Sequence, residues 1–122
     1  MAVIRINAGR SGALRDAGGG PDWRRGLAAA LAGVAEGAPV CVMVHGFRYT
    51  WRAGPGDWAC PHARLYHDRP VAPDPRCRPE RAAWPDALGY AGSGPRDGLA
   101  IAFGWEARAP AIGGFAAVHA RA

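Results

Sequence analysis

Apolar residues run unbroken from Pro39 through Val40-Cys41-Val42-Met43-Val44 and again through Leu99-Ala100-Ile101-Ala102-Phe103-Gly104. A half-exposed strand would alternate apolar with polar positions, so these runs predict parallel strands covered on both faces. A third cluster, Val3-Ile4-Arg5-Ile6-Asn7, is rich in β-branched residues and predicts a short first strand. The glycine-rich stretch from Ala8 to Pro21 that follows reads as a loop. Trp23, Leu27, Leu31 and Val34 recur at spacings of four, four and three, which places them on one helical face. Asp22 is the expected N-cap of that helix and Gly37 its stop. Buried strands and an amphipathic helix together predict a layered α/β domain with a mainly parallel sheet and flanking helices.

The pattern breaks between residues 48 and 83, where Pro, Arg, Asp and His are dense. This is a long excursion loop, and Trp51, Trp58 and Tyr66 inside it favour an ordered one. Ala82 to Tyr90 can hold a helical turn limited by Pro85, and Phe115 to Ala122 reads as the opening of a helix. Gly94-Pro95-Arg96-Asp97-Gly98 is a turn leading into the last apolar run. The whole chain, residues 1–122, is expected to form a single domain without internal repeats.

A chain of this length can bury about two thirds of its unfolded surface, enough for a modest core. All 15 basic residues are Arg, and they are spread along the sequence, although the net charge is +5. A nucleic-acid binder would concentrate them on one face or in one run, so that partner is not expected. The richness in Arg, Ala and Gly suggests a GC-rich bacterial coding sequence. The three cysteines are odd in number and irregularly spaced, unlike a disulfide framework. No signal peptide and no apolar stretch of membrane-spanning length is evident, so a cytoplasmic location without membrane association is expected.

The first long apolar run ends abruptly in His45-Gly46-Phe47. With Ala83-Trp84-Pro85-Asp86-Ala87-Leu88-Gly89-Tyr90 and Gly98 to Trp105 following in order, the chain resembles the N-terminal half of a bacterial α/β-hydrolase. The resemblance covers nearly the whole chain but only part of that fold. It implies that Phe47 donates its backbone N–H to an acyl oxyanion, that Gly46 permits close backbone approach, and that His45 orients the loop without serving as base. It implies further a serine hydrolase of ester or related acyl substrates, with no cofactor.

The nucleophile of such enzymes sits in Gly-x-Ser-x-Gly between a strand and a helix. The only serines are Ser11 and Ser93, and neither fits: Gly92-Ser93-Gly94 follows no apolar strand. The chain is therefore expected to lack the triad, to be inactive alone, and to meet its small acyl substrate only when completed by a missing C-terminal half. A sheet without its later strands would expose an edge and apolar surface, so partial unfolding or association is expected. His119 reads as a helix-surface residue. Cys60, His62, His67 and Cys77 lack the spacing of a zinc site, and no metal is expected. Cys41 reads as a core residue, Trp23 and Trp84 as core, and Trp51 and Trp58 as anchors of the excursion loop. The alternatives are a non-catalytic α/β ligand-binding module and, further off, a basic nucleic-acid-binding protein.

Overall fold

A computed structural model describes residues 3–9, 11–46, 49–53, 59–67, 83–108 and 119. Phe47, Trp58, Cys77 and most of the helix expected from Phe115 to Ala122 lie outside the described residues.

Four strands form one mixed sheet. They are β1 (Val3–Ala8), β2 (Leu14–Arg15), β3 (Val40–Val44) and β4 (Leu99–Gly104), in the order β2-β1-β4-β3. β4 runs parallel to both neighbours, pairing Ile4 with Ile101 on one side and Val42 with Ile101 on the other. The expected parallel core is therefore present, with an addition. The loop after β1 turns back to place β2 antiparallel to it, matching Asn7 with Arg15. Two residues are too few to carry a periodic signal, so β2 was invisible in the pattern.

Helix α1 (Trp23–Ala32) starts where expected, with Asp22 at the N-cap position, but the Asp22 side chain makes no capping bond. Gly33, not Gly37, caps its end; Gly37 follows in the next turn with φ 77°. Trp23, Leu27, Ala30 and Val34 pack against Ile6, Leu99 and Ile101, whereas Leu31 is exposed. The inward face thus follows spacings of four, three and four, and Ala30 takes the place expected for Leu31.

Alternate residues of β4 face the other side of the sheet. There Ala100 and Ala102 meet Met43, Leu65 and Tyr66, with Cys41, Trp84 and Tyr90 half-buried around them. This layer comes from the excursion, which contains α2 (Pro61–Arg64) and is followed by α3 (Trp84–Ala87). Both short helices carry Pro in the first turn, where its missing N–H leaves no helical bond unmade. Alanines at 100 and 102 leave room for the Tyr66 ring, whose hydroxyl reaches the carbonyls of Met43 at 2.9 Å and Phe103 at 3.0 Å.

β4 is buried along almost its whole length, as expected of a central strand. β3 is not. Met43 is buried, but Val40, Val42 and Val44 are 48%, 56% and 54% exposed. The apolar run that predicted cover on both faces has it on one, because the apolar face of α1 packs on Ile6 of β1 and Leu99 and Ile101 of β4. Among the described residues, no helix is long and apolar enough to cross a membrane.

Candidate functional site

The parallel strands end at a common edge, and the polar residues gather there. His45 leaves β3 beside Trp105, which follows β4, and the two are joined twice. The Trp105 backbone N–H donates to His45 Nε2 at 3.0 Å, and the Trp105 indole N–H donates to the His45 carbonyl at 2.9 Å. Nε2 must therefore be bare and the proton sits on Nδ1, which donates to the Gly46 carbonyl at 3.0 Å. The imidazole stacks on the Trp105 ring at 6.0 Å and meets the Tyr49 ring edge-on at 5.6 Å. It is 2% exposed. Burial lowers its pKa to about 4, opposed in part by its bond to Gly46 and by Glu106, and assisted by the neighbouring His62. At neutral pH the ring is uncharged, and both its nitrogens are engaged with backbone.

Gly46 lies exposed immediately beyond this clasp. A Cβ built there would meet no atom within 4 Å. The packing of the described residues does not demand glycine at this position.

A second cluster lies beside the first. His62 on α2 donates from Nε2 to Asn7 Oδ1 at 2.8 Å, both residues being buried, while the Trp51 indole N–H donates to the Ala8 carbonyl at 2.7 Å. Trp51 thus ties the excursion to the end of β1, as its anchoring role required. Gly104 makes this convergence possible: a Cβ there would sit 2.7 Å from Trp51 Cβ and 2.8 Å from His62 Nε2, and closer still to Asn7 Oδ1. Beyond it, Thr50 donates to the buried Glu106 carboxylate, which also faces Arg52 Nε at 3.9 Å. Asn7, Thr50 and Glu106 were not singled out from sequence. The signal available was a polar residue at the carboxyl end of each of three apolar runs, but which of these face one another depends on register.

Ser93, His67 and Asp86 all border a cavity of about 430 Å³ on the face covered by α2 and α3. They do not form a triad: His67 Nε2 meets the Arg64 carbonyl at 3.2 Å, and among the described residues no hydrogen bond joins the three. Ser11 is exposed in the turn before β2, and His119 is exposed and helical. Cys60 is the buried residue preceding α2, and Cys41 is half-buried on β3. Among the described residues, no three His, Cys, Asp or Glu side chains converge as a metal site would require.

The fold and this edge define a small mixed α/β sheet with polar side chains assembled at the ends of its parallel strands. Comparisons with protein-family models, with curated proteins and with solved structures found no match.

Proposed function

We propose that this chain is the oxyanion-side portion of an α/β-hydrolase-type domain acting on ester or related acyl substrates. The observation that carries this reading is the turn at His45-Gly46. A buried neutral imidazole clasps the end of β3 to Trp105 and leaves an unencumbered glycine just beyond. Backbone N–H groups exposed by such a turn at the carboxyl edge of a parallel sheet would suit charge developing on an acyl oxygen, and losing one such donor costs roughly a hundred- to a thousandfold in rate. The donor itself would be the N–H of Phe47, with Gly46 admitting the substrate and His45 positioning the turn.

The attacking group lies elsewhere under this reading, since Ser11 lies in a turn, Ser93 in irregular chain just before one, and neither is held by a base. The open flank of β3 supports it as well. Among the described residues, no strand pairs with that flank, and Val40, Val42 and Val44 offer apolar surface beside it. A nucleophile-bearing strand would have its place there.

The test is chemical and genetic. A serine-directed fluorophosphonate probe should leave residues 1–122 unlabelled, and stoichiometric labelling at Ser11 or Ser93 would overturn the proposal. Coding sequence downstream of Ala122, read in all three frames, should contain an apolar strand followed by Gly-x-Ser-x-Gly within about 40 residues, the span of a strand-helix-strand unit. Its absence would favour a non-catalytic ligand-binding domain.

A further inference from the structure

Two cavities adjoin along the face of β1 that looks toward α2 and α3, and they share Arg5 and Ala17 as lining. The first, of about 430 Å³, is walled chiefly by apolar and aromatic groups, among them Val3, Tyr66, Ala83, Pro85 and Tyr90. The second, of about 380 Å³, is polar and carries two guanidinium groups: Arg5 and Arg52 line it with His62, Asn7 and Trp51. No carboxylate lines this second cavity among the described residues.

Such a trough has a direction. A guanidinium presents a planar fork of donors that matches a carboxylate, and two of them border the same space. Arg52 is held at the rim, over the Trp51 ring at 5.5 Å, and its 3.9 Å contact with Glu106 is too long for a hydrogen bond. Arg5 is engaged elsewhere in the protein as well, but five N–H donors allow a guanidinium to serve more than one partner. Asp86, at the border of the apolar cavity, would repel an anionic group placed at that end. A ligand with one negative charge is therefore oriented by both ends at once.

We propose that this trough binds an amphipathic carboxylate, its head between Arg5 and Arg52 and its aliphatic or aromatic body against Tyr66 and Tyr90. The site is separate from the His45-Gly46 turn and does not depend on the hydrolase reading; it would serve a binding module equally well.

The experiment titrates hexanoate, 1-hexanol and inorganic phosphate separately into the 122-residue protein, following the Trp51 indole N–H by NMR. Hexanoate should give a saturable shift at least about tenfold tighter than either of the others, the difference one charge-assisted contact supplies. Arg52→Gln, at a side chain 53% exposed whose charge also faces the buried Glu106, should weaken hexanoate about tenfold while leaving hexanol binding, which reports an intact fold, unchanged. Equal binding of hexanoate and hexanol would overturn the anionic head, and phosphate binding as tightly as hexanoate would overturn the apolar body. An absence of saturation, or an Arg52→Gln protein binding like the parent, would remove the site altogether.

Discussion

Single residues at the sheet's edge carry consequences that can be measured. His45 is neutral when folded and has its pKa lowered to about 4 by burial, against an ordinary value of 6.5. In the unfolded chain it takes up a proton below about pH 6.5, while the folded protein resists doing so until near pH 4. This residue's contribution to stability is thus fully present above pH 6.5 and is lost as pH falls through that window, by up to about 3 kcal/mol. Chemical denaturation at pH 7.5, 5.5 and 4.5 should show that slope, and His45→Gln should flatten it; an unchanged slope in the variant would assign the titration to another group. Gly104 and Gly46 form a matched pair. Gly104→Ala should destabilise by about 1–3 kcal/mol, because Asn7, Trp51 and His62 converge on the space a methyl would take. Gly46→Ala, whose methyl would meet no atom of the described residues, should stay within about 0.5 kcal/mol of the parent in the same melts. His45-Gly46 stood out in sequence because it terminates an apolar run. Asn7 and Glu106 did not, since their significance lies in partners 55 and 56 positions distant from their own ends of the cluster, His62 and Thr50.

Elements divide according to how much of their cause is local. β1, β3, β4 and the start of α1 were legible because each is long enough to display a period; the strand bounds differ from the expected ones by no more than a residue, while α1 ends at Ala32, short of the stop expected at Gly37. β2 and α2 have two and four residues, too few for a pattern, and exist because the sheet holds them, whereas the four-residue α3 falls inside the helical turn expected between Ala82 and Tyr90. Tyr66 shows how. Its single hydroxyl proton is shared between the carbonyls of Met43 and Phe103, so it fastens the residues after α2 to β3 and β4 together. Tyr66→Phe leaves the ring in place and removes that fastening inside a buried region. A loss of about 1–2 kcal/mol is expected, together with faster amide exchange in α2 than in β4; uniform acceleration throughout the chain would show that α2 has no separate opening. The run at β3 predicted cover on both faces and received it on one, since an apolar sequence states what a strand can bury and not what arrives to bury it.

At the scale of the whole molecule, β3 is the sheet's exposed flank. Val40, Val42 and Val44 form an apolar row there, next to unpaired strand backbone among the described residues. Such a flank promotes association, and a charge on it should oppose it. Val42→Lys is expected to reduce concentration-dependent self-association in sedimentation velocity while changing stability by no more than about 0.5 kcal/mol, as befits a side chain 56% exposed; a large drop in Tm would instead show that Val42 is covered in solution. By itself the sequence determined which segments could become strands, that α1 would be amphipathic, and that β3 would end at His45-Gly46, because periodicity and chain-breaking residues act over a few neighbouring positions. Long-range packing placed β4 between β1 and β3, held His45 neutral against Trp105, and brought Arg5 and Arg52 to the border of one cavity. Those facts depend on strand order and register, which bring together side chains dozens of residues apart and leave no local trace in the chain.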